Sequence, residues 1–262
     1  MNDISYDILD LYKEHGTGRE AMDRVLEEGA SPEVLYAFSP MSENLLEWTD
    51  LKPGDQVLQI GAGYGIFTSL LAERCGHVTV VDMRDENLVV SQMRTGSPEN
   101  VTWIKWARMD WSQGEYDLIL LTADKEQGIH TFFQKEGQKL LKKGGRIFFA
   151  CENRLGLKFL SGADHDPQEV NDTREGLKAF FLRYGFSCLE FYYPTPEYRL
   201  PSALYSDRCL PGKGDITNVS AAYDRPRYAC LHEEELFDQL IGEGDFGRFA
   251  NGFFVVASRG GR

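Results

Sequence analysis

From Gln56 onward, apolar residues follow two alternating patterns. Val57-Leu58-Gln59-Ile60 is a short, near-continuous apolar run that stops at Gly61. Ile66 to Cys75 then carries apolar side chains at helical spacing (Ile66, Leu70, Leu71), and Gly76 supplies a stop. Val78-Thr79-Val80-Val81 predicts a second strand, Val101 to Ala107 a third, Leu118 to Leu121 a fourth and Arg146 to Cys151 a fifth. Between the last two, His130 to Leu141 predicts a helix, ended by Lys142-Lys143-Gly144-Gly145. Strands this apolar are buried on both faces, and their alternation with helices predicts a doubly wound, Rossmann-like α/β domain with a parallel sheet. A helix over Thr173 to Tyr184 with Gly185 as C-cap, a strand over Phe186 to Tyr193 and a closing strand over Phe253 to Ser258 complete the core.

Two segments fall outside that alternation. Residues 4–48 are helical and amphipathic, with Ile4, Ile8, Leu9 and Leu11, then Met22, Val25 and Leu26. They form either a cap over the carboxyl edge of the sheet or a plain cover for a hydrophobic face. The 59 residues from Pro194 to Gly252 hold five of the ten prolines and one clear helix, Glu233 to Ile241. A connection this long inside a compact domain is usually functional, here as a lid or substrate-binding insertion. The expected organisation is a helical cap over 1–50, a core over 51–193, an insertion over 194–252, and a final strand with its tail over 253–262.

Composition narrows the partners. Of 262 residues 41 are acidic and 28 basic, a net charge of −13, so no basic stripe is available for a nucleic-acid backbone or an anionic membrane. No apolar run approaches the roughly 20 residues that span a bilayer. Asp3, Asp7 and Asp10, with no basic residue among them, do not read as a signal peptide. The five cysteines form no Cys-x-x-Cys pair, which excludes a zinc ribbon and points to a reducing, cytoplasmic setting. Cys151 and Cys188 sit in apolar runs and read as core thiols.

Gly61-Ala62-Gly63-Tyr64-Gly65 falls between the first strand and its helix, where glycines let the backbone turn sharply and approach a ligand. Ile66 stands where a dinucleotide fingerprint would place its third glycine. Asp82 ends the second strand, 21 residues after Gly61, where an acid takes both hydroxyls of a ribose. Met83 is placed to lie against an adenine face. Asp110 is placed to accept from an adenine amino group, with Met109 beside the ring; its plainer reading is a turn-capping acid.

Val57 to Gly65, Asp82, Asp110, Tyr116-Asp117-Leu118-Ile119 and Leu141 to Gly145 resemble, in order and spacing, the motifs of class I S-adenosylmethionine-dependent methyltransferases. The resemblance implies a seven-stranded sheet whose last strand is antiparallel. It gives the glycine loop to the methionine part of S-adenosyl-L-methionine, Asp82 to the ribose and Asp110 to the adenine. The family usually has Asp or Glu where this chain has Gln59, although an amide still hydrogen-bonds near the methionine. The cofactor half is thus read as Tyr36, Gln59, Gly61, Ala62, Gly63, Gly65, Asp82, Met83, Met109, Asp110 and Thr122.

A narrower resemblance rests on Tyr36-Ala37-Phe38-Ser39-Pro40, Asn44 to Trp48, Glu152-Asn153-Arg154-Leu155-Gly156-Leu157-Lys158, Tyr192-Tyr193-Pro194, Tyr198-Arg199-Leu200-Pro201, Tyr205-Ser206-Asp207 and Phe249-Ala250-Asn251. These are similar to a bacterial subgroup found beside, or fused to, glycosyltransferases of cell-surface polysaccharide synthesis. The implied acceptor is a hydroxyl of a glycan or glycan precursor, inferred from gene company, with a glycosyltransferase as possible partner.

Methyl transfer from a sulfonium needs alignment, desolvation and, for a hydroxyl, a base. Glu152, Asn153 and His165, the last flanked by Asp164 and Asp166, are the catalytic candidates after strand five. Glu152 and Asn153 are read alternatively as orienting groups, and His165 as a solvated loop residue. Thr122-Ala123-Asp124-Lys125 and Glu152-Asn153 resemble segments of magnesium-dependent catechol-type O-methyltransferases, but Thr122 replaces their first Asp ligand, so no metal is expected. The alternatives are a small-molecule O-methyltransferase and a catalytically silent, cofactor-binding scaffold for a glycosyltransferase.

Overall fold

Side chains that alternate along each strand belong to two different cores. In the computed structural model, which describes residues 4–29, 31–122, 126–135, 137–164, 171–217 and 231–260, Ile147 and Phe149 enter one core while Phe148 and Ala150 enter the other. A sheet buried on both faces follows directly.

The strands are β1 (Gln56–Ile60), β2 (His77–Asp82), β3 (Val101–Lys105), β4 (Tyr116–Leu121), β5 (Leu141–Asn153), β6 (Asn171–Asp172), β7 (Cys188–Thr195), β8 (Ala203–Ser206) and β9 (Gly252–Ser258). Their order is β3-β2-β1-β4-β5-β9-β7-β8, with β6 beside the end of β5. β1 is parallel to β2 and β4, whereas β9 runs antiparallel to both β5 and β7. The antiparallel last strand is as expected; the count of seven is not, because the sheet has nine. β5 runs two residues beyond its predicted end, and Glu152 and Asn153 pair there with Asn171 and Asp172. The chain also returns after Pro201 to lay β8 antiparallel along β7, with Tyr193 opposite Tyr205.

Eleven helices appear among the described residues. The N-terminal segment folds as α1 (Ile4–His15), α2 (Arg19–Glu27), α3 (Pro32–Phe38) and α4 (Asn44–Glu47). Ile8, Leu9, Tyr12, Met22, Val25 and Phe38 of this segment pack on Val90 of α6 (Asp85–Thr95). α5 (Ile66–Arg74) and α4 cover one face of the sheet; α7 (Glu126–Gln134) and α9 (Arg174–Arg183) cover the other. α8 (Leu157–Leu160), α10 (Glu233–Glu243) and α11 (Phe246–Phe249) complete the set. The helix predicted over His130 to Leu141 is displaced. α7 ends at Gln134, a 3-10 turn spans Gly137–Leu140, and a side chain at Gly137 would run into the Phe132 ring. Gly144, with φ +82°, sits in a register shift inside β5 rather than at a helix end. Thr173 caps α9, accepting from Gly176 N at 3.0 Å. No helix among the described residues is long and apolar enough to cross a membrane.

Cys75 and Cys151 are buried free thiols, but Cys188 is exposed at the start of β7, as is Cys209. Cys188 therefore corrects the core reading: the strand begins at the sheet's rim, where its first residue meets solvent. Burial pushes the Cys75 thiol up to about 12 and holds the Cys151 thiol well above its ordinary value. Since the thiolate is the nucleophile, a thiol reagent at neutral pH is expected to modify Cys188 and Cys209 while Cys75 and Cys151 react only after unfolding. Peptide mass mapping before and after denaturant checks this; early modification of Cys75 or Cys151 would contradict it.

Candidate functional site

Parallel strands deliver their carboxyl ends to one edge of the sheet, and the glycine loop, Asp82, Thr122 and Glu152 all hang from that edge. The turn after β1 holds Gly61, Gly63 and Gly65 at φ +95°, +51° and +80°, a left-handed conformation that side chains other than glycine resist. The reasons for glycine differ along the loop. A Cβ on Gly65 would lie 2.8 Å from the Ser91 Cα, so its absence lets α5 and α6 approach. A Cβ on Gly63 would meet nothing within 4 Å, so this side of the loop is open to a ligand.

Asp82 is buried beside the loop and holds its shape. Its Oδ2 accepts from Ala62 N at 2.8 Å, its Oδ1 from Arg84 N at 2.8 Å, and Asn87 Nδ2 lies 3.2 Å from both oxygens. Met83, 40% exposed, stands next to it on the open side. Thr122 Oγ1 donates to Gly61 O at 3.0 Å, fastening the loop to the end of β4. Gln59 is buried and donates to the same carbonyl at 2.8 Å.

Met109 is half-buried against the core that includes Trp106 and Trp111, whose rings are 4.6 Å apart. Asp110 is exposed, and its Oδ1 accepts from Ser112 Oγ at 2.7 Å and Ser112 N at 2.9 Å. Those two bonds hold its carboxyl below the usual range. The turn-capping geometry is therefore present at Asp110.

The acceptor side is a buried charge cluster. Glu152 and Lys158 are both nearly inaccessible, with Lys158 Nζ 2.9 Å from Glu152 Oε1. Glu197 Oε2 lies 3.9 Å from Lys158 Nζ and 3.8 Å from Arg199 Nη1, which is itself 3.7 Å from Glu152 Oε1. Two carboxylates and two cations thus compensate one another. Glu152 Oε2 is buried with no hydrogen-bond donor reaching it among the described residues. The Arg199 guanidinium, 15% exposed, lies over the Tyr198 ring at 4.7 Å and the Tyr36 ring at 5.6 Å. Tyr36 of α3 therefore meets the end of β5 through Arg199.

Asn153 is fully committed to backbone. Its amide donates to Arg248 O (2.8 Å) and Ala250 O (2.7 Å), and its Oδ1 accepts from Leu155 N (3.0 Å). Asn251 does the same across the insertion, accepting from Lys158 N (2.9 Å) and donating to Pro196 O (3.0 Å). His165 lies outside the described residues, as do Asp166 and the 123–125 segment. Among the described residues no group of three or more His, Cys, Asp or Glu could hold a metal ion. A depression of about 690 Å³ lined by Asn44, Trp48, Tyr192 and Leu204 lies at the β8 edge, and none of its lining residues belongs to the glycine loop.

The methyltransferase in a solved complex with the Haloferax volcanii Trm112 methyltransferase activator superposes with a TM-score of 0.53 at 13% identity, over 85% of this chain and 90% of that one. The fold is that of class I S-adenosylmethionine-dependent methyltransferases. Residues 41–140, less than half the chain, match the family model for ribosomal RNA adenine dimethylase. Ubiquinone biosynthesis O-methyltransferase of Acinetobacter baumannii (strain AYE) is 29% identical over 137 residues, 48% of this chain and 56% of that protein. Phosphoethanolamine N-methyltransferase 3 of Arabidopsis thaliana is 31% identical over 162 residues, 55% of this chain and 31% of that protein. The chain spans about half the length of the curated ubiquinone relative.

Sequence reasoning missed Glu197 as a site residue and used Lys158 and Arg199 only as parts of motifs. A signal existed for Lys158, a lone charge inside Leu157-Lys158-Phe159-Leu160. None existed for Glu197, whose proximity depends on how the chain turns after β7.

Proposed function

We propose that this chain is an S-adenosylmethionine-dependent methyltransferase that methylates a hydroxyl of a glycan or glycan precursor. The observation that carries the reading is one sheet edge that holds both an open glycine loop, braced by Asp82, and a buried carboxylate, Glu152, that retains an unused oxygen. The residues present fit the cofactor: the space at Gly63 admits a ligand to the backbone, Asp82 brings a carboxylate to the end of β2 beside the loop, and Met83 offers an exposed apolar face. When bound, S-adenosylmethionine supplies a methyl group already activated on sulfur.

The protein's own part is alignment and one proton. Glu152 Oε2 would take the proton that the acceptor hydroxyl gives up as its oxygen gains the methyl carbon, the carbon–sulfur bond breaks and S-adenosylhomocysteine leaves. Lys158, on Oε1, holds that carboxylate in place and balances its charge. His165 is the other base in this proposal. The N-terminal helices and the 194–252 insertion close over the acceptor, and a glycosyltransferase supplies or receives it. The ribosomal RNA match ends at residue 140, before β5, so it includes none of the acceptor-side residues. Similarity to a ubiquinone biosynthesis O-methyltransferase favours a second reading, a small-molecule hydroxyl as acceptor.

The test is transfer of isotopically labelled methyl to surface-polysaccharide precursors and, in parallel, to phenolic small molecules. Glu152→Gln is expected to lose about 10²–10⁴-fold in turnover, the usual worth of a positioned base, while still binding the cofactor. Wild-type turnover in that variant would remove Glu152 from the mechanism. Cofactor binding without transfer to any acceptor would favour the scaffold reading.

A further inference from the structure

The family resemblance places an acid where this chain has Gln59, and the structure places that side chain away from the open face of the loop. Gln59 is 1% exposed, and both ends of its amide are engaged inside the protein. Nε2 donates to Gly61 O at 2.8 Å, and Oε1 accepts from Thr68 Oγ1 at 2.9 Å. Thr68 Oγ1 accepts in turn from Ser91 Oγ at 3.1 Å, and Ser91 Oγ from Trp103 Nε1 at 3.2 Å. Thr68 and Ser91 are wholly buried.

The direction of this chain is settled by its ends. An indole N–H only donates, and a peptide carbonyl only accepts, so each bond between them must point from β3 through α6 and α5 to the glycine loop. Reversing any member would set two acceptors or two donors face to face. The amide orientation follows from the same argument, because only the NH₂ end of Gln59 has anything to give Gly61 O. A glutamate there would accept from Thr68 equally well but would turn a second oxygen lone pair toward the carbonyl.

We infer that Gln59 and Thr68 are positioning residues for the cofactor loop, and that this loop is built for an amide rather than the usual acid at position 59. Gln59 acts on Gly61 O, not on a ligand, and the relay from Trp103 keeps it there. Thr122 Oγ1 holds the same carbonyl from β4, so the loop's first peptide is clamped from two strands. Asp82, on the neighbouring strand β2, fastens the other side of that same peptide through Ala62 N, and of the charged groups around the loop Arg94 of α6 lies against Gly65. This inference rests on the reading of the loop as the S-adenosylmethionine site.

The experiment is calorimetric titration of S-adenosylmethionine and S-adenosylhomocysteine into the full chain and three variants, Gln59→Glu, Thr68→Val and Thr68→Ser, across a pH series. Gln59→Glu is expected to bind about tenfold more weakly than wild type at alkaline pH, for want of one buried donor. As pH falls, its affinity relative to wild type should recover, because a protonated carboxyl both donates to Gly61 O and accepts from Thr68. A merely structural role would lower stability without that pH-linked recovery. Thr68→Val is expected to weaken binding similarly and Thr68→Ser to restore it, a comparison that stands even if the buried glutamate prevents folding. Wild-type affinity in both Gln59→Glu and Thr68→Val would overturn the inference. Failure of the wild type to bind either ligand would instead overturn the cofactor reading.

Discussion

Lys158→Met is expected to destabilise the protein by about 3–5 kcal/mol, the cost of removing one partner from a buried ion pair. The ammonium is inaccessible to water, 2.9 Å from Glu152 and 3.9 Å from Glu197. Methionine matches its length and preserves packing, so the loss comes from carboxylate charge left with Arg199 as the remaining counter-ion of the group. Two further results follow from that cause. The double variant Lys158→Met/Glu152→Gln should recover part of the loss, because the orphaned charge is gone. The deficit of the single variant should also shrink in mildly acidic solution. There a buried carboxyl without its cation takes up a proton more readily folded than unfolded, so acid favours the folded variant and rising pH removes that support. Urea unfolding at two pH values measures both, and a variant as stable as wild type would show that the cluster does not depend on Lys158.

Asp82→Ala is expected to act on fold and ligand together. It strips acceptors from two backbone N–H groups, Ala62 and Arg84, and from the Asn87 amide. Leaving the Ala62 N–H unsatisfied beside the loop costs about 1–3 kcal/mol, with a smaller loss at Arg84, which borders solvent. Binding of S-adenosylmethionine should weaken by a further 1–3 kcal/mol, roughly ten- to a hundredfold, since the ribose loses its partner and the loop its brace. Asp82→Asn should fall between, having one acceptor oxygen where the aspartate has two. Denaturant unfolding and calorimetry separate the two effects; unchanged affinity in Asp82→Ala would take the ribose role away from this carboxylate.

The core was legible in the chain because its signal is redundant. Each of β1, β2 and β4 is a run of apolar residues ending in a polar or glycine turn, and the antiparallel last strand came with the family resemblance. What escaped was set by tertiary contact. Ala203 to Ser206 is four half-buried residues with no alternation strong enough to announce a strand, and it becomes β8 because β7 offers it an edge. Lys142 to Gly145 looks like a helix stop and is instead an irregular stretch within β5, paired after the shift to β4. In the candidate site, the positions of Gly63 and Asp82 were legible because local geometry sets them: a turn after β1 and the end of β2. Glu152 and Asn153 look alike in sequence, adjacent polar residues after an apolar strand. Only the packing of residues 248–251 assigns Asn153 to backbone carbonyls and leaves Glu152 with a spare oxygen.

The seating of β9 between β5 and β7 has a consequence for synthesis. Strands β1 to β5 can pair as they leave the ribosome, yet the neighbour that covers Phe148 to Cys151 on the far side of β5 is residues 252–258. Those follow after 98 intervening residues, 154 to 251. At roughly 5–20 residues per second, translation leaves that apolar edge without its strand for about 5–20 s. During that interval the nascent chain carries an open template for pairing with another polypeptide. How safely this protein is made therefore depends on the pace of elongation and on chaperone cover over one strand edge, more than on how stable the finished sheet becomes.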